Sequence, residues 1–161
     1  MAHPGLQVGL ISDTHGLLRP EAAAALHGSH CIVHAGDIGD SCILDRLSEI
    51  APTSAVRGNN DNGEWASHLP ATEVLEVGAV LIYVIHDLAE LDVDPAATGI
   101  HVVISGHSHR PSVEWRDSVL FANPGSAGPR RFNLPVSVAT LIIGQGVITP
   151  RLVELNVRRN A

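Results

Sequence analysis

Residues 6–15 read LQVGLISDTH and residues 31–40 read CIVHAGDIGD, and these two stretches decide the fold. Each is a short apolar run that breaks into Asp, Gly and His. Short, mostly apolar runs of this length, bounded by glycine and polar residues, read as strands. The first strand is expected over Leu6–Ser12 and the second over Cys31–Ala35. Between them Pro20 stands as a first helical residue, the run Ala22–Ala25 is a strong helix former, and the helix is expected to stop near Gly28. A second helix over Cys42–Ile50 and a third strand over Ser54–Arg57, ending at Gly58, complete a β-α-β-α-β order. Short connections in that order imply a parallel sheet with right-handed crossovers.

Beyond Pro70 the pattern changes. Glu73–Val77 and Val80–Ile85 read as strands joined by a tight Gly78-Ala79 hairpin. Asp94-Pro95 looks like a cap and first helical residue for one or two turns before a strand over His101–Ser105. Val113–Arg116, Val119–Ala122, Val136–Ile143 and Val147–Leu155 follow, the last two joined through Gly144-Gln145-Gly146. One covered sheet does not need so many strands. The expected class is therefore α/β, with two sheets packed face to face and helices outside.

The chain has 161 residues, enough for one domain over 1–161, and no internal repeat or linker interrupts it. With 45% hydrophobic and 17% charged residues it belongs to the globular class. Ten basic residues against seventeen acidic give a net charge of −7, which argues against a general polyanion-binding surface and a stable nucleic-acid partner. All ten basic residues are arginine, so lysine-dependent chemistry is excluded. Cys31 and Cys42 do not make a disulfide framework, which points to reduced thiols and a cytoplasmic location. The most apolar stretch, Val77 to Ile85, falls well short of the roughly 20 residues that cross a bilayer, so no membrane association is expected. Met1-Ala2-His3-Pro4-Gly5 has no basic region followed by an apolar one, and no signal peptide is expected.

The ionisable residues fall at strand ends. Asp13 and His15 follow the first strand, Asp37 the second and Asn59 the third; His86 follows Val80–Ile85, and His107 and His109 follow His101–Ser105. In open α/β sheets ligands bind outside the carboxyl ends of the strands, so residues distant in sequence converge there. Carboxylate, imidazole and amide oxygen donors without thiolate suit divalent Mn, Fe, Zn, Co or Ni. Seven donors over-supply one ion; two ions roughly 3.5–4 Å apart, sharing a carboxylate, use them economically. Asp37, on the middle of three strands, is the expected bridge. Gly36, Gly58 and Gly106 precede Asp37, Asn59 and His107, where the backbone is expected to turn sharply.

Taken in order, Asp13-Thr14-His15, Gly36-Asp37-Ile38-Gly39-Asp40, Gly58-Asn59-Asn60-Asp61 and Gly106-His107-Ser108-His109 resemble the calcineurin-like metallophosphoesterase superfamily, most closely its small single-domain bacterial and archaeal phosphodiesterases. The resemblance runs from residue 6 to about 131 and includes Asn123-Pro124-Gly125-Ser126. It implies a four-layer α-β-β-α sandwich of two mixed sheets. It implies a first metal on Asp13, His15, Asp37 and His109 and a second on Asp37, Asn59, His86 and His107, with manganese the first choice. It also implies hydrolysis of a small phosphodiester by a metal-bridging hydroxide. Asp37, Asn60 and His107 are the positions expected to serve catalysis.

Two residues depart from the family. Asn60 stands where many members have a His that contacts phosphate or protonates the leaving group, and an amide cannot supply that proton. Good leaving groups and diesters are thus expected over ordinary monoesters. Asp87 stands where Gly is usual, and it either orients a neighbouring imidazole or adds a charge that weakens phosphate binding. Asp40 suits either a helix cap or a role in orienting the site, Asp61 a turn or supporting role, and His34 a satisfied core position, while Arg130 and Arg131 are either phosphate ligands or a solvated pair. His3, His27, His30, His68 and His101 receive no role. Two rivals to the diesterase are a protein-interaction scaffold of the same fold and a phosphomonoesterase. Exposed sheet edges leave room for a homo-oligomer.

Overall fold

The computed structural model describes residues 5–158; His3 and the rest of the segment read for a signal, Met1–Pro4, lie outside them. The elements are β1 (Leu6–Ile11), α1 (Pro20–Ala25), β2 (Cys31–His34), α2 (Ser41–Ser48), β3 (Thr53–Ala55), β4 (Thr72–Val77), β5 (Val80–Ile85), β6 (Val102–Ile104), β7 (Ser112–Arg116), β8 (Val119–Asn123), β9 (Ser137–Gly144) and β10 (Val147–Glu154). One sheet runs β10-β9-β1-β2-β3 and the other β4-β5-β6-β8-β7. Each is mixed. In the first, β1, β2 and β3 are parallel and β9 is antiparallel to β1; in the second, β5, β6 and β8 are parallel with antiparallel β4 and β7 at the edges.

Strand alternation builds the layers. On β1, β2, β5 and β6, Val8, Leu10, Val33, Ile82, Val84, Val102 and Ile104 point between the sheets into one apolar cluster. Their neighbours Ile11 and Ile32 point the other way, against Ala22 and Leu26 of the α1 turn and Ile43 and Leu47 of α2. Tyr83, Ile85 and Val103 line the far face of the second sheet. Burial on both faces is why these strands carry no polar alternation, and each fully buried Leu, Ile or Val contributes about 1.5–3 kcal/mol.

The turns follow the residues that make them. Val77 pairs with Val80 across Gly78-Ala79, and Gly144 pairs with Val147 across Gln145-Gly146, whose φ values of 53° and 75° suit a two-residue hairpin. Pro20 opens α1, and the Asp40 side chain accepts from Cys42 N at 2.9 Å to cap α2. The outer layer of the second sheet departs from expectation. Asp94-Pro95 starts turns only, with Thr98 N bonded to Asp94 O at 3.2 Å, because five residues before Ile100 are too few to propagate a helix. That face is covered by Leu88, Leu91 and Val93 and by a single 3-10 turn, Leu88–Glu90, so the fourth layer is thin.

Candidate metal centre

All seven donors stand at strand ends, and the order β1-β2-β3 puts Asp37 between Asp13 and Asn59. Five of the seven, Asp13, His15, Asp37, His107 and His109, have positive φ, between 46° and 68°. That conformation costs an ordinary L-residue about 1–2 kcal/mol. Such strain persists only where the surrounding structure enforces it, and it concentrates at functional sites.

The donors form two groups. In the first, Asp13 Oδ1 lies 3.7 Å from His15 Nε2 and 3.3 Å from His109 Nε2. In the second, Asn59 Oδ1 lies 3.0 Å from His86 Nε2 and 3.1 Å from His107 Nδ1. Asp37 Oδ2 faces both, 3.8 Å from His15 Nε2 and 3.4 Å from His86 Nε2. Asp13, His15 and His109, and separately Asp13, Asp37 and His86, present one donor atom each within 4.8 Å of the others.

The protein itself leaves this cluster incomplete. Asp13 Oδ1 and His15 Nε2 are buried with no hydrogen-bond partner, as is His109 Nδ1. Buried polar atoms without partners are rare, and a divalent cation among oxygen and nitrogen donors satisfies the first two at once. Protonation states agree. Burial alone would raise the Asp13 pKa, but the His109 and His15 imidazoles and the Ser12 hydroxyl hold it well below the usual carboxylate range. Burial likewise opposes ionisation of Asp37, and His86 with the Asn60 N–H outweighs it. His86 Nδ1 lies 2.7 Å from the Ala35 carbonyl, to which it donates, so Nε2 is the nitrogen turned to the centre.

Supporting residues fix the loops. Ser12 Oγ donates to Asp13 Oδ2 at 2.6 Å, and His107 N donates to the same oxygen at 3.1 Å. Asp61 accepts from Ile38 N, Gly39 N and Gly58 N, tying the β3 tip to the β2 tip. Asn123 Nδ2 donates to Gly106 O and Ser108 Oγ and so holds the His107 loop. Fully buried His34 resolves into one tautomer. Its Nδ1 accepts from Gly36 N, and its Nε2–H donates to Thr14 Oγ1, whose own proton goes to Ile38 O. Ser12 and Thr14 carry no spacing signal of their own; for the clamp that joins His34 through Thr14 to Ile38, a histidine inside an apolar strand is the available signal. The expected sharp turn is present at one of three glycines. Gly36 has φ +103°, but at Gly58 and Gly106 the reason is close approach rather than a sharp turn. A Cβ at Gly58 would run into Asp37, and one at Gly106 into Ser12 and Asp13.

Residues 6–146 match the calcineurin-like phosphoesterase superfamily domain. The chain belongs to that superfamily. A probable metallophosphoesterase of Methanocaldococcus jannaschii is 36% identical over 132 residues, covering 74% of this chain and 67% of its own. Two solved structures share the fold. One, described as a novel archaeal phosphodiesterase, has a TM-score of 0.76 at 22% identity and covers 92% of this chain and 100% of its own. The other, Vps29 of Entamoeba histolytica complexed with zinc, has a TM-score of 0.73 at 21% identity and covers 94% and 100%.

Within this calcineurin-like phosphoesterase, Asn60 sits on the centre in an unexpected way. Its backbone N–H donates to Asp37 Oδ1 at 2.8 Å and its side-chain amide to Asp37 Oδ2 at 3.0 Å. Arg130 turns onto Leu134 O at 3.2 Å, a contact inside its own loop, and Arg131 is exposed. Among the described residues no helix is long and apolar enough to cross a membrane.

Proposed function

We propose that this calcineurin-like phosphoesterase is a two-metal phosphodiesterase acting on small phosphodiesters. The observation that carries this reading is the pair of donor groups meeting at the Asp37 carboxylate. Asp13, His15, Asp37 and His109 hold one divalent cation, and Asp37, Asn59, His86 and His107 hold the other; manganese is the first choice, with Fe, Zn, Ni or Co as alternatives. When bound, two such cations lower the pKa of water toward neutrality and stabilise charge on the phosphoryl oxygens.

The chain's own residues set the remaining conditions. Asp37 ties the two donor groups together, and the Asn60 amide is occupied with orienting that carboxylate. Asn60 donates a hydrogen bond but carries no transferable proton at useful pH, so the site favours leaving groups that depart without a protein acid. His107, the most exposed of the imidazoles at 45%, is the one that meets substrate. Two cations at the centre of an acidic protein draw phosphate in without any lysine. Donor-competent side chains at all seven positions favour an enzyme over a scaffold. Cys31 and Cys42 are both free, which suits the reducing cytoplasm. No stable nucleic-acid partner is proposed, and a homo-oligomer through the sheet edges is compatible with the fold.

The test is turnover of bis(p-nitrophenyl) phosphate with added Mn²⁺ alongside metal analysis of the purified protein. The expected result is metal-stimulated hydrolysis with two ions per chain. No turnover with any of Mn, Fe, Zn, Co or Ni overturns the reading.

A further inference from the structure

Two clefts open beside the candidate centre, and one residue belongs to both. The first, about 190 Å³, extends from His107 along Phe121, Glu114 and Arg116; the second, about 210 Å³, extends from Asn59 and His86 along Arg57 and Glu90. Asp87 lines each of them and so forms the ridge between. Charges on the walls otherwise match. Arg116 pairs with Glu114 at 2.9 Å and lies 4.6 Å over the Phe121 ring, and Arg57 shares the second cleft with Glu90. With one glutamate for each arginine, Asp87 is the carboxylate left without a counter-cation on either wall.

Asp87 is also held still. Its Oδ1 accepts from Ala89 N at 3.0 Å, capping the 3-10 turn Leu88–Glu90. Its Oδ2 lies 3.7 Å from His107 Nε2, which is outside hydrogen-bond range, and the side chain is 31% exposed. At that separation it does not tether the imidazole. It sets a fixed negative potential where a phosphate must approach.

We propose that Asp87 is a specificity-determining residue that selects phosphodiesters over phosphomonoesters by charge, with the two clefts receiving the two alcohol arms of a diester. This inference rests on the phosphoesterase reading above. A diester carries one negative charge at neutral pH, whereas a monoester carries about 1.5 to 2. A carboxylate several ångströms from phosphorus, partly screened by water, penalises the additional charge roughly three- to tenfold. Tetrahedral phosphorus also directs its ester oxygens apart, so a diester fills both clefts and a monoester leaves one to water.

The experiment uses Mn²⁺-loaded full-length protein and the variants Asp87→Asn and Asp87→Gly. Asn keeps the capping oxygen, so the turn is retained. Rates on bis(p-nitrophenyl) phosphate and p-nitrophenyl phosphate are compared, and affinities for inorganic phosphate and diethyl phosphate are measured by calorimetry with Mn²⁺ stoichiometry. Wild type is expected to favour the diester. Both variants should lower the diester-to-monoester ratio of kcat/KM three- to tenfold. Diethyl phosphate, with one charge, should bind tighter by about that factor and inorganic phosphate by a larger one, with metal content unaltered. An unchanged ratio and phosphate affinity overturns the proposal, as does wild-type preference for the monoester. Loss of an ion from Asp87→Asn also overturns it, because Asp87 would then be a support for His107. Wild type that binds Mn²⁺ but hydrolyses neither ester sinks the phosphoesterase reading, while the calorimetry still decides whether Asp87 discriminates by charge.

Discussion

The two halves of the centre differ in what they lack. Around Asp13 the donors are buried and unpartnered: Asp13 is 0% and His109 5% exposed, and Asp13 Oδ1 and His15 Nε2 bond to nothing. Around Asn59 the site is more open and already partnered, since its Oδ1 accepts from His107 Nδ1 at 3.1 Å and the His107 ring is 45% exposed. A desolvated, unsatisfied and rigid set of donors gains most from an ion, whereas a hydrogen-bonded and solvated set must first give up what it has. The closed half should therefore hold its cation tightly. The open half should exchange its cation and meet substrate.

Removing the link between the halves should have the largest effect. Asp37→Asn is expected to lower the rate on bis(p-nitrophenyl) phosphate at least ~10³-fold, several kcal/mol of transition-state stabilisation, and to reduce bound metal. Unchanged rate and metal content would refute the bridging role. Next come the halves taken singly. Asp13→Ala should abolish the tight phase of a Mn²⁺ titration, and His107→Ala should weaken only the loose phase, by roughly 10–100-fold. Equal loss of both phases in His107→Ala would show that the halves do not act separately.

The smallest effect belongs to the clamp behind both halves. Burial holds the His34 pKa at about 3, against an ordinary 6.5. Between those values the unfolded chain carries a proton on this ring that the folded chain does not, so stability rises with pH across that window and falls on acidification below 6.5. Metal-free protein should lose about 1 kcal/mol per pH unit from this group as pH drops from 6.5 toward 4.5. Urea midpoints of His34→Gln should decline less steeply over the same range; parallel curves would remove His34 from the account.

Much of this architecture was legible in residue order. Apolar runs bounded by glycine and polar residues mark the strands, and Pro20, Asp40 and Gly78 sit where their local chemistry puts them. The donors were legible because each directly follows a strand, and strand ends in a parallel sheet converge. Asp94-Pro95 misled because capping chemistry is local while helix growth needs length, and that segment has too little of it. Gly58 and Gly106 look like turns in the sequence because a sequence records a missing Cβ without recording what lies against it.

Composition and motif spacing, then, were enough to establish an α/β chain with seven oxygen and nitrogen donors at strand tips, because periodicity and residue chemistry are properties of neighbours along the chain. Which donors share an ion, which are starved of partners and which charge stands alone between two clefts are relations across gaps of up to about a hundred residues. Those depend on distances of a few ångströms and on the exclusion of water, and both come into being when the two sheets close on each other.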